Sequence, residues 1–451
     1  LNSAPAPPSA LESVRRTLFL LTGLTVPLYA FPVFQVFHKD VDPATVFAGL
    51  FVLTSVGALF RRLATPAGML LVAAVVVPLL AAIAPQPPRF SVDQFAISYA
   101  HWLLVVLFFF AALALRRNAS FTAQLVLWNG LVGFLVAAFA LYQVVGIPRR
   151  WPGTDTVLFA FQREPLRFMQ IAGTGYVRPT SIFLEPAFLG GYLSFVVALL
   201  LAYALSRRST LPFPAAAAGF AAGVTILGAL LATVSWGAYL DFAAVLVALL
   251  PAIGRRVFRR PRLAVALGAA LALAAAAGAF SGPGQAAVRG AEERWRMLRE
   301  TPVESDRMSV GVQDSSWARA RNARHTQDLI RRSPARGLGL GHFGKHAAAG
   351  DSYMAVVSTR DPWCGWLAAG AEMGLGGPLV LAGIVVLVMV RFVRNRPTGF
   401  AAVAVPALVA LAAIQQVHTG SYIDLWWWYP LSVAAVLAGR PAEPAPDLRE
   451  V

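Results

Sequence analysis

Along most of this chain the hydrophobic positions neither alternate nor follow one helical stripe. They run unbroken for about twenty residues at a time, the length that crosses a hydrocarbon core of roughly 30 Å. Runs at Thr17–Phe37, Ala44–Phe60, Pro66–Ala84, Ala96–Leu115 and Phe121–Ile147 predict five spanning helices. Four more are expected at Ala187–Ser206, Pro212–Ser235, Gly237–Ile253 and Leu263–Ser281, and three at Gly365–Val390, Gly399–Val417 and Asp424–Leu437. The pattern predicts an all-α polytopic membrane protein of about 12 spans. It divides into a tail at 1–16, nine spans over 17–281 with an outer loop at 148–186, a long loop at 282–363, three spans within 364–439, and a tail at 440–451. The apolar run after Arg15 and Arg16 is too long and too poorly ended for a cleaved signal peptide, so an uncleaved first span is expected.

Charge then assigns sides. Basic residues sit at every turn that the span count places in the cytoplasm: Arg61 and Arg62, Arg116 and Arg117, Arg207 and Arg208, the cluster from Arg255 to Arg262, Arg391 to Arg396, and Arg440. Both termini are therefore expected inside. The net charge of +16 needs no nucleic-acid partner, because this bias accounts for most of it; membrane lipids are the expected surroundings. A single cysteine, Cys364, excludes an intrachain disulfide and a cysteine zinc cluster.

The two long outer loops break the charge rule, because both are rich in arginine where arginine should be depleted. The later one contains SSWARARNARHTQDLIRRSPARGLGLGHFGKH (Ser315–His346), with Arg319, Arg321, Arg324 and Arg336 leading into a glycine-rich turn. Guanidinium groups at a membrane face can bind phosphate or diphosphate in bidentate fashion; lipid headgroups or the loop's own acids are the alternative partners. Helical character at Ala286–Glu300 and Trp317–Arg332 suggests amphipathic helices lying along the membrane face. GLGLGHFG (Gly337–Gly344) holds a GxGxxG spacing, but no strand precedes it, and a dinucleotide fold is rejected. What remains for Gly337 and Gly339 is a turn whose N–H groups approach an anion, or a tight loop re-entering the membrane.

All six histidines fall near the outer face, which makes His342 and His346 available as proton acceptors there, with Asp361 nearby in sequence. None of them has metal-ligand spacing, and neither metal nor cofactor is expected. Asp40 and Asp42 form a DxD, but Asp42 before Pro43 reads better as a helix N-cap than as a metal ligand. Glu185, Asp241 and Glu372 stand beside or inside apolar runs, where an ionisable group is costly and is by default a functional candidate. Trp426–Trp428 with Tyr422 and Tyr429 reads as an aromatic belt at the outer interface, or as a surface for stacking sugars.

Three short motifs carry a resemblance. RPTSIFLEPAFLGGYL (Arg178–Leu193), Arg319 preceding a Pro334-x-x-Gly337-x-Gly339 turn, and LAAGAEMGLGGPL (Leu367–Leu379) with its Glu372-x-Gly374 occur in the order seen in the bacterial O-antigen polymerase and ligase superfamily, which this chain resembles. The FLEP form is similar to that of exopolysaccharide polymerases. Two positions depart from the pattern: Trp363 stands where ligases carry a histidine, leaving the general base unassigned, and Trp236 where many relatives carry arginine. The resemblance implies a GT-C-like membrane enzyme in the bacterial inner membrane, with its site facing the periplasm. Such an enzyme transfers glycan from a polyprenyl diphosphate-linked oligosaccharide donor to a sugar hydroxyl on a lipid-linked acceptor, without a metal. A chain-length regulator would be its protein partner. Arg178 and Arg319 would then hold the diphosphate, and Glu185 would orient the hydroxyl. An O-antigen ligase, a protein O-oligosaccharyltransferase and a lipid-linked oligosaccharide transporter are the alternatives. Transport predicts midplane charges and an internal repeat, whereas the charges here gather in loops.

Overall fold

The computed structural model describes residues 9–29, 31–36, 39–83, 90–154, 176–183, 185–206, 213–259, 315–343, 364–419 and 422–440. Helix α1 (Ala10–Thr25) starts where the Ser9 hydroxyl accepts the Glu12 N–H and runs into one 3-10 turn at Val26–Leu28. This differs from the expected Thr17–Phe37. Polar residues of the tail join the helix because Glu12 pairs with Arg16 at 3.4 Å, while the end of the apolar run is used for an antiparallel hairpin, β1 (Phe34–Val36) with β2 (Lys39–Val41). Then come α2 (Pro43–Phe60), α3 (Pro66–Ile83), α4 (Val92–Ala112) and α5 (Ala119–Gly146). After them follow α6 (Pro186–Ser206), α7 (Phe213–Ala232), α8 (Trp236–Arg259) and α9 (Ser315–Arg332). The last four are α10 (Gly365–Met373), α11 (Gly376–Asn395), α12 (Gly399–His418) and α13 (Leu425–Leu437).

Eight of these, among the described residues, are long and apolar enough to cross a membrane, and the protein is an all-α polytopic membrane protein. The expected span at Leu263–Ser281 and the amphipathic helix at Ala286–Glu300 lie outside the described residues. The expected helix Gly365–Val390 is two helices, α10 and α11, broken at Gly374. In α9 the apolar Leu329 and Ile330 turn onto Phe343 and Ala371, so this face packs on protein where the sequence suggested a membrane surface.

Every residue of α13 is buried, as expected of a helix that is apolar all round. Helices α4 and α12 pack against it, while α3 and α11 expose Met69, Leu80, Leu379 and Val393. Lipid is as apolar as the side chains, so close van der Waals packing holds such helices together. Gly190 of α6 shows this: it lets Ala238 of α8 approach so closely that a side chain there would collide.

Two ends of the bundle are chemically distinct. At one end the arginines that the charge rule placed in the cytoplasm donate to carbonyls in the segments that follow α4 and α13: Arg62 to Leu113 at 2.9 Å, Arg16 to Arg116 at 2.8 Å and Arg117 to Gly439 at 3.1 Å. The β-hairpin, the start of α4, the α7–α8 turn and the polar loops described below lie at the other.

Candidate functional site

The glycine-rich turn closes the break between α10 and α11. The N–H groups of Leu338 and Gly339 donate to the carbonyls of Ala371 and Glu372 at 2.8 and 2.9 Å, and Leu375 N–H donates to the Pro334 carbonyl at 2.7 Å. A broken helix in a membrane must have its freed backbone groups satisfied by protein, and this turn does so. Gly374 ends α10 at φ +63°, and a Cβ there would lie 2.6 Å from the Pro334 oxygen. Gly337 sits opposite at φ +68°, where a Cβ would come within 2.5 Å of the Glu372 carbonyl. Both positions need glycine for conformation as well as space.

At the centre of the turn is a carboxylate. Glu372 accepts the Phe343 N–H at 3.0 Å and the Tyr422 hydroxyl at 2.5 Å, and the N–H groups of Gly341 and His342 also face it. The turn wraps a carboxyl group of the chain itself, that of Glu372. Gly337 N–H donates to the Ser333 carbonyl and Gly339 N–H to Glu372, so these two glycines have spent their donors on protein. His342 is buried here as well. Its Nδ1–H donates to the Leu340 carbonyl at 2.8 Å, Nε2 accepts the Ser91 N–H at 2.9 Å, and its ring stacks on Phe90 at 4.6 Å. Neither ring nitrogen is left to take a proton from a substrate.

The arginine-led motif is held from α5. Gln143, buried in an apolar helix, accepts the N–H groups of Thr180 and Ser181 at 3.2 and 2.7 Å and donates to the Ser181 carbonyl at 3.1 Å. Ser181 has φ +53°, a conformation that this clamp secures. The clamp presents Arg178, whose Nε donates to the Thr233 carbonyl in the turn between α7 and α8 at 2.9 Å. Tyr176 donates to Ala232 at 2.7 Å on the same turn; burial raises its phenol well above the usual range, with Arg178 pulling the other way. The Glu185 carbonyl accepts the N–H groups of Phe188 and Leu189 and so starts α6 behind Pro186.

A third group joins the two. His418, in the last turn of α12, lies 2.7 Å through Nε2 from Oδ1 of Asp241 in α8, with 8% and 0% of their side-chain surfaces exposed. Gln415 Nε2 and Asp241 Oδ2 both abut Gly191, 2.9 and 3.1 Å from where a Cβ would stand. Gly237 lies against the histidine ring. The segment 422–428 ties this group to the glycine turn: Tyr422 reaches Glu372, Trp428 Nε1 donates to the Tyr422 carbonyl at 2.8 Å, and Trp426 packs on Phe188 at 5.1 Å.

The tryptophan run is no interfacial belt. Trp427 and Trp428 are fully buried and Trp426 is 6% exposed, and their indole N–H groups donate to the Ala412 carbonyl, the Tyr422 carbonyl and Asp424 respectively for Trp427, Trp428 and Trp426. Asp42 caps α2 as its sequence suggested, with Oδ1 accepting the Thr45 N–H at 2.8 Å and Oδ2 the Thr45 hydroxyl at 2.9 Å. Arg324 and Arg336 are exposed, and Arg319 and Arg321 lie on α9 with side chains outside the described residues. His346 and Asp361 also lie outside them. Among the described residues no three histidine, cysteine or acidic side chains form a metal-ligand set.

Sequence reasoning singled out Asp241 but counted His418 only among the six histidines and did not pair the two, and it missed Gln143 and Gln415 altogether. A polar residue inside an apolar run was the available signal. The assembly defines a multi-pass membrane protein with arginines at one end of its helices and these hydrogen-bonded polar groups at the other. No protein-family model matches this chain, and a search of characterised proteins finds no match either.

Proposed function

We propose that this chain polymerises a surface polysaccharide. In this reading it is a metal-independent, GT-C-like glycosyltransferase of about twelve spans in a bacterial inner membrane. It passes glycan from a polyprenyl diphosphate-linked donor to a sugar hydroxyl of another lipid-linked repeat, on the periplasmic side. The observation that carries the reading is the gathering, at one end of the bundle, of the Arg178 motif and the Glu372–Gly374 turn around the segment 422–428. A diphosphate leaving group develops negative charge, and a guanidinium fixed beforehand stabilises it without reorganising. Arg178 suits that role because its Nε is spent on Thr233, which orients the fork, and Arg319 is its expected counterpart from α9. Glu185 is assigned to orient the attacking hydroxyl.

The test uses membranes containing the chain and supplied with diphosphate-linked oligosaccharide. Lipid extracts read by mass spectrometry should show the single repeat consumed with wild type and accumulating with Arg178→Ala. Equal consumption by both would remove Arg178 from the site, and no consumption by wild type would remove the polymerase reading.

A further inference from the structure

The proposed reaction needs a proton acceptor, and the resemblance offers none, because Trp363 stands in the expected place. We propose that His418, oriented by Asp241, takes the proton from the attacking sugar hydroxyl. This assignment rests on the polymerase reading above and deepens it.

The geometry is that of a carboxylate–imidazole pair. With Nε2–H donating to Asp241 Oδ1 at 2.7 Å, the lone pair is left on Nδ1. The edge that carries it faces Gly237, where an added Cβ would lie 2.6 Å from Nδ1 and 2.9 Å from Cε1. Because residue 237 has no Cβ, no side chain crowds that edge of the ring. His342 cannot serve in the same way, since both of its nitrogens are engaged. A purely structural role would explain the pair less well: an aspartate with no exposed surface in an apolar helix is costly, and a neutral amide would satisfy His418 without that cost.

His418 occupies the C-terminal turn of α12. Its position suits the chemistry. Arg178 binds the carbonyl of Thr233, and His418 lies against Gly237 of the helix that this same turn leads into. The cation for the leaving group and the acceptor for the proton thus both contact one short stretch of chain, 233–237.

In the step itself, the acceptor hydroxyl oxygen forms a bond to the donor's anomeric carbon as the bond from that carbon to the diphosphate oxygen breaks. The electron pair leaves with the polyprenyl diphosphate, which Arg178 stabilises, and the hydroxyl proton moves to Nδ1 of His418 and from there to water. His418 is in these terms a catalytic residue, and Asp241 a positioning residue.

The test compares purified wild type, His418→Gln, His418→Ala and Asp241→Asn in nanodiscs, measuring both turnover of lipid-linked repeats and binding of the lipid-linked donor. Glutamine keeps a donor for Asp241 and removes the base. His418→Gln should lose about 10²-fold or more in kcat with donor binding unchanged. Asp241→Asn should lose at least about tenfold, and added imidazole should partly restore His418→Ala. Wild-type kcat in His418→Gln, or donor binding lost along with kcat and no imidazole rescue, would overturn the assignment while leaving the polymerase reading in place. A wild-type protein that binds donor but forms no glycosidic bond would overturn the reading, and this assignment with it.

Discussion

Tyr422 donates its hydroxyl to Glu372 across 2.5 Å, joining the segment before α13 to the break between α10 and α11. Both groups are buried, and the other carboxylate oxygen holds the Phe343 N–H. Tyr422→Phe leaves a buried carboxylate oxygen short of a donor and should cost about 1–3 kcal/mol, read as a lower thermal midpoint in detergent. Glu372→Ala removes the acceptor for both partners and should cost more. If the two substitutions together cost the sum of each alone, the hydrogen bond between them contributes nothing.

Gly337→Ala should undock the turn while leaving the helices intact. Its φ of +68° and the 2.5 Å approach to Glu372 both forbid a Cβ. Limited proteolysis should then cut near residue 340 in the variant and not in wild type, with helical circular dichroism unchanged. Equal protection in both would mean that the turn tolerates the side chain.

Gln143→Ala strips two buried N–H groups, those of Thr180 and Ser181, of their acceptor. Each orphaned group costs on the order of 1–3 kcal/mol, and Ser181 loses the clamp on its positive φ. Turnover of lipid-linked repeats should fall at least about tenfold because Arg178 is released, whereas Gln143→Glu, which keeps the acceptor, should lose less. Similar losses in both would point away from the clamp.

Burial raises the carboxyl pKa of Asp42, opposed by the Thr45 hydrogen bonds and by His101. A carboxyl raised on folding favours the folded state at pH below its unfolded value, and that contribution is lost as pH rises through the folded value. Asparagine caps equally well without the charge. Asp42→Asn should therefore be neutral to slightly stabilising at pH 7 and lose that advantage toward pH 4, whereas Asp42→Ala costs about 1 kcal/mol at both. Thermal midpoints of the three proteins across this range decide it; an asparagine variant much weaker than wild type at pH 7 would contradict the sign.

Much of the fold was legible because one property, an unbroken apolar run, dictates a spanning helix whatever it packs on. The Asp42 cap was legible because capping is local. The end of the first run was not, since Phe34 and Lys39 are drawn into a hairpin by pairing that apolar content does not encode. Nor was the break at Gly374, which needs the backbone of Pro334–Gly339, about forty residues earlier in the chain, to replace the lost helical bonds. The tryptophans showed their hydrophobicity but not their place, which depends on partners such as Ala412 and Tyr422. Asp241 and His418 stand 177 residues apart, and each alone reads as an isolated polar group in an apolar run.

The central claim is that this chain lengthens a glycan. Purified protein in nanodiscs, incubated with lipid-linked repeats in the presence of chelator and read by gel electrophoresis, tests it most directly. The account predicts a ladder of products from wild type, lost in Arg178→Lys and Arg319→Ala. Single transfer to an added acceptor with no ladder, or a ladder that both variants retain, would contradict it.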